Sequence, residues 1–472
     1  MLTWLKVDGF KNLLNFECFF GPYTCIAGPN AVGKSNVFDA IEFLSLLADH
    51  TFLEATQHLR MKGDQIIDPR SLFWNNAESS NPVMEFVAEM IVPQDIEDDF
   101  GRTAHPTTTF LRYTLQLRYV DPRQESPLTG GIRLVKEELT YVPKGDAKDR
   151  LPWPHKAGLF REAVVSGRRF GTAYISTTRE DTSGDLVVNV HQDGGSHGKP
   201  LSTNPERAPR TVVSTTTSAD APTILAARRE MQRWRMLALE PSAMRSPDNG
   251  LARPQLADDG AGLAATLFRL AHERGSFVYD QVAADAAELA DVRQVAVDHD
   301  ERRDTLTLQA RVGNGPLLPA RSLSDGTLRF LALCVVRVDE SMGSLLCLEE
   351  PENGIHPGRM DAMVHLIRSL AVDPNEAPDF DNPLRQVMVN THSPYYIRYD
   401  AFGKGKDNVL AAIATTTKRE GQLATTVRLR PMTGSWRAKR DGGNSVSVDA
   451  LADYLRTPDD ALVLQWNEDH QR

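Results

Sequence analysis

Apolar positions along the chain follow two different periods, and the changes of period mark the predicted elements. Three short apolar runs of strand type occupy residues 23–27, 345–348 and 387–389. Apolar residues recur at the three- and four-residue spacing of a helix over residues 37–47 and again over 328–335. Strands that alternate with helices in this way favour an α/β fold with a mixed or parallel core sheet.

A different pattern fills the region between residues 80 and 145. Strand-like runs at 84–92, 109–120 and 131–142 predict an antiparallel sheet that completes the N-terminal lobe. The same stretch shows no heptads, which excludes a long coiled coil there.

Residues 150–312 combine irregular segments with segments of helical and strand pattern. Residues 150–220 are rich in Pro, Gly, Ser and Thr, and we interpret them as a partly irregular accessory insertion. Helical patterns follow at 221–239 and 251–289. Residues 295–312 predict a hairpin, and its acidic tip is typical of a solvated turn rather than a metal site.

Candidate chemistry begins at the turn after the first apolar run. This turn fits the phosphate-loop pattern G-x-x-x-x-G-K-[ST], and it lies between a strand and a helix whose N-terminus can hold an anion. Lys34 can reach the β- and γ-phosphates, and the Ser35 hydroxyl can bind Mg²⁺. The predicted ATP-binding residues are Gly28, Pro29, Asn30, Ala31, Val32, Gly33, Lys34, Ser35 and Asn36.

The other two apolar runs end in side chains suited to phosphate chemistry. Glu349 and Glu350 follow the second run, and two adjacent carboxylates repel each other unless a cation shares them. We therefore assign Glu349 to Mg²⁺ and Glu350 to orienting and deprotonating the attacking water. His392 follows the third run, and we interpret it as a γ-phosphate contact, although a lone histidine after a strand is more often structural.

A second candidate phosphate contact lies at the start of the helix over 328–335. Ser324 is a favourable N-cap residue, and the end of the helix that it caps can hold an anion. The residues of this contact are Ser324, Asp325, Gly326 and Thr327.

Taken together, the motifs resemble those of ABC-type ATPases of the SMC, RecF and OLD-like branch, in their stand-alone form. The resemblance rests on the phosphate loop, on Leu323-Ser-Asp-Gly-Thr327 and on Glu350-Pro-Glu-Asn-Gly-Ile-His-Pro357. It implies a P-loop NTPase head of ABC type with an α-helical signature lobe. It also implies that two heads pair, so that Ser324 contacts the ATP held by a second copy of the chain. By the same resemblance, Lys11 and Asn12 touch nucleotide, and Glu349 replaces the usual Asp.

The resemblance covers residues 1–50 and 320–400, and it suggests a domain division. Only 80 residues follow His392, so we expect no nuclease domain of the OLD type. The predicted units are 1–150 for the N-terminal part of the head, 151–250 for the accessory insertion, 251–430 for the helical lobe with the C-terminal part of the head, and 431–472 for a tail with short helices.

The composition of the chain allows a prediction of its cellular location. The chain has 472 residues, of which 41% are hydrophobic and 25% charged, and no apolar run is long enough to cross a bilayer. Its four cysteines lie in apolar segments without metal-ligand spacing, which is typical of core residues in a reducing compartment. These features predict a cytoplasmic protein that does not contact a membrane.

Charge is distributed unevenly along the chain. The formal net charge is −10, yet residues 150–245 hold 14 Arg or Lys against 9 Asp or Glu. Four of these residues are predicted to form a basic helix that binds nucleic acid or an acidic partner: Arg228, Arg229, Arg233 and Arg235. The alternative is that these arginines are solvated or paired within a dimer.

The functional prediction is an ATP- and Mg²⁺-dependent ATPase whose head dimer switches a separately encoded effector. The resemblance extends to ATPase subunits of bacterial anti-phage systems, which act in this way. A DNA-repair or DNA-binding ATPase is the alternative. A transporter motor is disfavoured, because transporter heads are compact where this chain has its insertion.

Overall fold

The structure of the protein is a computed structural model. It describes residues 1–59, 68–74, 81–121, 131–167, 173–180, 184–193, 201–251, 254–400, 403–419, 421–440 and 444–456. The strands are β1 (Leu2–Asp8), β2 (Phe16–Phe19), β3 (Tyr23–Ala27), β4 (Val83–Ile91), β5 (Ile96–Glu97), β6 (Thr103–Ala104), β7 (Phe110–Tyr119), β8 (Ile132–Tyr141), β9 (Ile175–Arg179), β10 (Leu186–Val190), β11 (Leu201–Thr203), β12 (Trp234–Leu237), β13 (Asp248–Asn249), β14 (Val292–Asp300), β15 (Thr305–Val312), β16 (Leu317–Pro319), β17 (Leu345–Glu349), β18 (Gln386–Thr391), β19 (Val409–Arg419) and β20 (Gln422–Pro431).

The helices are α1 (Lys34–Leu47), α2 (Phe52–His58), α3 (Ala147–Arg150), α4 (Glu162–Val164), α5 (Pro222–Gln232), α6 (Pro241–Arg245), α7 (Leu263–Arg274), α8 (Phe277–Ala290), α9 (Asp325–Val338), α10 (Met360–Ser369), α11 (Pro394–Asp400), α12 (Trp436–Arg440) and α13 (Val448–Arg456). Within the described part of the chain, no helix is long and apolar enough to span a bilayer. The predicted tail helices lie partly outside the described residues, which end at residue 456.

The core sheet brings the motif-bearing strands side by side. Its order is β12-β17-β18-β3-β19-β20, and its first five strands run parallel. In register, Ala27 of β3 pairs with Thr391 of β18, and Asn390 of β18 pairs with Glu349 of β17. Because parallel strands end at the same edge of a sheet, the phosphate loop and the residues after β17 and β18 meet there.

Both faces of the core sheet are buried, which explains why its strands read as continuous apolar runs. Alternate residues of a strand point to opposite faces, and β3 shows this directly. Ile26 packs into a cluster with α1 and the antiparallel sheet, whereas Cys25 and Ala27 pack into a second cluster with α7, α8 and α9. All four cysteines are buried and none forms a disulfide, as the sequence predicts.

The predicted antiparallel sheet is confirmed, and it is larger than predicted. It has eight strands in the order β11-β10-β9-β8-β7-β4-β1-β2. Strand β9 pairs with β8 through Ile175 and Leu139, so the sheet continues across the predicted boundary at residue 150. Strands β9, β10 and β11 of the predicted insertion are therefore additional strands at one edge of the first lobe's sheet.

The helical prediction for residues 221–239 is wrong in its second half. Helix α5 ends at Gln232, and Trp234–Leu237 form β12, an edge strand that pairs in parallel with β17. The partner strand β17 lies more than 100 residues further along the chain, since Trp234 pairs with Leu345. The local periodicity of residues 221–239 cannot reveal so distant a partner. The predicted hairpin over 295–312 is confirmed as β14 and β15.

Candidate functional site

The phosphate loop is braced by an asparagine from the turn after β1. Gly33 has a φ of 104°, and a Cβ atom on it would lie 2.4 Å from Asn12 Nδ2, so the position requires glycine on both counts. The Asn12 side chain accepts a hydrogen bond from Asn36 Nδ2 (2.8 Å) and donates one to the Val32 carbonyl (3.5 Å). The structure thus brings the predicted Asn12 against the predicted loop.

Lys34 and Lys11 occupy different surroundings. Lys34 is buried, and its Nζ donates to the carbonyl oxygens of Gly28 (2.8 Å) and Pro29 (2.7 Å), which holds the ammonium against the loop. Lys11 lies in the turn after β1 with a φ of 48°, and its Nζ pairs with Asp39 of α1 at 2.7 Å. In this structure the Lys11 ammonium therefore links the turn after β1 to helix α1.

Glu350 is held on three sides at the carboxyl end of the core sheet. It has a φ of 44°, and its N–H donates to the Asn390 carbonyl at 2.8 Å. Its carboxylate lies 2.7 Å from His392 Nδ1 and accepts a hydrogen bond from Asn353 Nδ2 at 2.9 Å. Two sequence-predicted residues, Glu350 and His392, are therefore in direct contact.

The surroundings of Glu350 favour its ionised form. Partial burial opposes ionisation, but the hydrogen bonds from Asn353 and His392, with the charge of Lys34, lower the pKa of Glu350 below its usual value. The pKa of the next carboxyl group along the chain, that of Glu352, is shifted in the opposite direction. Glu352 is 6% exposed, and burial raises its pKa, although the Thr391 hydroxyl donates to it.

Ser35 and Glu349 line one cavity of about 260 Å³, together with Glu350 and Asn390. Asn390 Nδ2 donates to Ser35 Oγ at 3.2 Å. Its buried Oδ1 has no hydrogen-bond partner among the described residues. Asn390 carries no predicted role, although it belongs to the same motif as His392.

These oxygen atoms fit a magnesium ion. Mg²⁺ prefers oxygen ligands and binds through one or two protein groups together with substrate phosphates. A hydroxyl, a carboxylate and an unpaired amide oxygen meet at this cavity, from Ser35, Glu349 and Asn390. Across the described ranges, no group of three or more His, Cys, Asp or Glu could hold a metal by itself.

Ser324 is the N-cap of α9. Its Oγ accepts the Thr327 N–H at 3.2 Å and lies 2.8 Å from the Thr327 hydroxyl, and Asp325 forms an ion pair with Arg245. A Cβ on Gly326 would lie 3.3 Å from the Ile355 side chain, so the first turn of α9 packs on the loop after Glu350.

Arg329 links α9 to that same loop and has no role in the sequence prediction. Its guanidinium donates to the Asn353 carbonyl and, at 3.2 Å, to the Leu239 carbonyl. It also lines the 260 Å³ cavity. Its sequence signal, one arginine inside an apolar helix, is too weak to have identified it.

The four arginines of the predicted basic helix do not form one exposed basic surface. Arg228 is buried and pairs with Asp49, Arg229 pairs with Asp99 at 2.5 Å, and Arg235 lies on β12 and pairs with Asp258 at 2.6 Å. Carboxylates distant in sequence neutralise these three charges. Arg233 is exposed and lies between α5 and β12.

Comparisons with known proteins give one family match and several similar solved structures. Residues 226–398 match a family model described as "AAA domain, putative AbiEii toxin, Type IV TA system". No curated protein matches the chain. The matched residues contain Ser324, Glu349, Glu350 and His392, and in the structure the strands that lead to Glu350 and His392 run parallel in one sheet beside a separate antiparallel sheet.

Solved structures of SMC heads are similar to the chain at 12% identity. One is an SMC head bound to the C-winged helix domain of ScpA (TM-score 0.46), which the chain covers over 98% of its length. Another is the Pyrococcus furiosus SMC head with an extended coiled coil bound to the C-terminal domain of ScpA (0.43, 96%). A third is the SMC head domain from Thermotoga maritima (0.36, 98%). In each case 91% of the present chain is covered.

Proposed function

We propose that this ABC-type P-loop ATPase head hydrolyses ATP at the edge of its core sheet, with Glu350 as the base. The observation that carries the proposal is the Glu350 carboxylate, held by Asn353 and His392 beside the phosphate loop. A carboxylate that is positioned and kept ionised can orient a water molecule and accept its proton. The phosphate loop supplies N–H groups and the Lys34 ammonium for the phosphates.

A magnesium ion, when bound, would neutralise charge on the β- and γ-phosphates. Ser35 and Glu349 would hold it, and the unpaired Oδ1 of Asn390 is a third candidate ligand. His392 lies within hydrogen-bonding distance of Glu350, where it can orient the carboxylate and contact a γ-phosphate.

Replacement of Lys34 tests the assignment of the phosphate site. Lys34→Ala removes a cation from the phosphates, so we expect ATP affinity to fall by about tenfold or more. Equilibrium binding of a fluorescent ATP analogue measures this, with Lys439→Ala on α12 as the control lysine variant. Unchanged affinity in Lys34→Ala would place the nucleotide elsewhere.

The proposed working unit is a dimer in which Ser324 of one head faces the ATP of the other. The N-cap geometry of Ser324 supports this role, because the N-terminus of α9 offers N–H groups to an anion. The contact of α9 with the loop after Glu350 gives a path by which pairing of heads can affect hydrolysis.

The biological role that we propose is control of a separately encoded effector in bacterial anti-phage defence. The description of the matching family, which names a Type IV TA system, supports a two-component arrangement of this kind. Affinity purification from the native host followed by mass spectrometry tests it. Recovery of a co-encoded protein supports the proposal, and recovery of the chain alone contradicts it. The cytoplasmic location stays a prediction.

The basic segment gives little support to the DNA-binding alternative. Three of the four arginines on which it rested are paired with carboxylates of the same chain. A nucleic-acid groove needs charges that phosphates can neutralise.

A further inference from the structure

Arg233, the remaining arginine of the basic segment, lines a cavity on the opposite side of the core sheet from the phosphate loop. This arginine cavity has a volume of about 530 Å³. Its wall includes residues that directly precede β12 and β17, so it lies at the amino ends of the parallel strands. A second arginine, Arg385, precedes β18 and lines it as well.

Arg385 is a buried cation, and no carboxylate among the described residues is hydrogen-bonded to it. It is 2% exposed, and its two terminal nitrogens donate to the carbonyl oxygens of Val336 (2.9 Å) and Asp339 (2.7 Å), at the end of α9. Its Nε has no hydrogen-bond partner within the described ranges. Burial lowers the pKa of Arg385 to about 10, so the group is still charged at neutral pH.

The acidic groups near the cavity are already engaged by other donors. Glu230 accepts hydrogen bonds from Ser344 (2.9 Å) and Trp234 (3.1 Å) and pairs with the N-terminal amine. Two further carboxylates pair with arginines outside the cavity wall, namely Glu340 with Arg274 (3.0 Å) and Asp339 with Arg269 (2.6 Å).

Arg233 has no such partner. It is exposed, and its side chain makes no hydrogen bond or ion pair with other residues that the structure describes. Glu230 and Glu340 of the cavity wall are thus paired with cations outside it, whereas no carboxylate among the described residues is hydrogen-bonded to Arg233 or Arg385, the two arginines that line the cavity. The rest of its lining is largely apolar, with Val92, Pro93, Val164, Pro378, Pro383 and Leu384.

We propose that the arginine cavity binds a small molecule in which a carboxylate or phosphate is joined to an apolar or aromatic body. Arginine matches the oxygen geometry of both anions, and the apolar lining fits the body. The volume lies within the range of about 300–1,000 Å³ that small-molecule sites occupy. The proposal does not depend on ATP hydrolysis.

Calorimetric titration of the full chain with simple probes tests the proposal. Saturating ADP occupies the phosphate loop during the titration, and its own binding, measured first, reports separately on the proposed function. The probes are phenyl phosphate and benzoate, which carry both an anion and a ring, and inorganic phosphate, which carries only the anion. We expect at least one ring-bearing probe to bind saturably and more tightly than inorganic phosphate.

Two variants locate the binding. Arg233→Gln should lower the affinity for the ring-bearing probe by about tenfold or more, because it removes a charged hydrogen-bond donor from the cavity wall. The matched control Arg229→Gln lies four residues away, outside the cavity, and should bind like wild type. Ala163→Trp, which fills the cavity from α4, should abolish binding without lowering the melting temperature.

The proposal is overturned if neither ring-bearing probe binds saturably. It is also overturned if Arg233→Gln binds like wild type, or if a folded Ala163→Trp protein retains full affinity. Equal affinity for phenyl phosphate and inorganic phosphate would remove the apolar part of the ligand class.

Discussion

At the residue scale, Glu350 combines an uncommon backbone conformation with a fixed carboxylate. A positive φ at a glutamate costs free energy, and the surrounding contacts with Asn390, Asn353 and His392 maintain it. Such strain is typical of functional positions. This combination distinguishes Glu350 from Glu349, which ends β17 with ordinary strand geometry.

The first prediction concerns the base itself. Glu350→Gln keeps the shape of the side chain, but it replaces one acceptor oxygen by an NH2 group and cannot accept the proton of water. We expect ATP affinity to be unchanged and turnover to fall by a factor of about 10² or more. Phosphate-release kinetics alongside equilibrium ATP binding measure the two quantities, and undiminished turnover would assign the base to another residue.

The second prediction uses the pKa of Glu350. Asn353 donates to this carboxylate and lowers its pKa, so Asn353→Ala should raise it. A smaller fraction of Glu350 is then ionised at acid pH, and the acid limb of the turnover profile should move to higher pH. Because the ordinary pKa of a glutamate is 4.5, turnover measured from about pH 4 to about pH 7 should show a loss that deepens as pH falls.

A control for this experiment is Asn189→Ala, on β10 of the antiparallel sheet. Its profile should superimpose on that of wild type. A loss in Asn353→Ala that is the same at every pH would instead indicate a displaced loop, and it would contradict the electrostatic explanation.

Sequence reasoning could propose site residues only where their motifs are local. The phosphate loop, Glu350, His392 and the N-cap Ser324 each lie next to the strand or helix that positions them. Asn390, Arg329 and the carboxylate partners of the arginines could not be found in this way. Their roles depend on contacts such as Arg228 with Asp49, which are separated by 179 residues.

At the element scale, the same distinction separates correct from incorrect predictions. Strand β3 and helix α1 were predictable from local sequence, because β3 is a short apolar run and the apolar residues of α1 recur at helical spacing. Strand β12 was not, because its four residues continue a helical pattern and become a strand only by pairing with β17. The extension of the antiparallel sheet by β9 likewise depends on pairing with β8.

One buried carboxylate connects β8 to the segment that precedes α5. Glu137 is fully buried, and it accepts hydrogen bonds from the N–H groups of Val212 (2.6 Å) and Val213 (2.8 Å) and from the Tyr113 hydroxyl (3.1 Å). Burial raises the pKa of Glu137 to about 7, although these hydrogen bonds oppose the shift. The carboxylate therefore supports a loop that has no sheet partner of its own in the described structure.

The third prediction follows from that raised pKa. Between the ordinary pKa of 4.5 and about 7, the folded state binds more protons than the unfolded state, so Glu137 lowers stability as pH rises. Glu137→Gln should remove this pH dependence. It should also lose about 1–3 kcal/mol at pH 5, because its NH2 group cannot accept from a backbone N–H, whereas the hydroxyl oxygen of the protonated wild-type acid can.

Urea unfolding at pH 5 and pH 8 measures the effect. The stability difference between wild type and Glu137→Gln should be smaller at pH 8, where the wild-type carboxylate is ionised and buried. Glu138→Gln, on the same strand and part-exposed, is the control. A difference that grows with pH would reverse the sign of the argument.

At the scale of the whole molecule, the two proposed phosphate contacts belong to different lobes. The phosphate loop lies between β3 and α1, whereas Ser324 caps α9 in the helical lobe, where it is exposed. The first turn of α9 also contacts the loop that positions Glu350, through Arg329 and Gly326. An anion at Ser324 would therefore act on a structure that already contacts the catalytic loop, which is the physical basis for proposing that two heads share their sites.

The last prediction tests that sharing by complementation. Ser324→Arg should block hydrolysis without preventing ATP binding, because the arginine intrudes where the other head's phosphate would lie. Lys34→Ala should be inactive for a different reason, the loss of nucleotide binding. Each variant alone should stay inactive. In an equal mixture, half of the dimers are mixed and each has one intact site, so turnover should recover to about a quarter of wild type. No recovery in dimers shown to be mixed would mean that each head completes its own site, and the proposed dimer would then have no catalytic role.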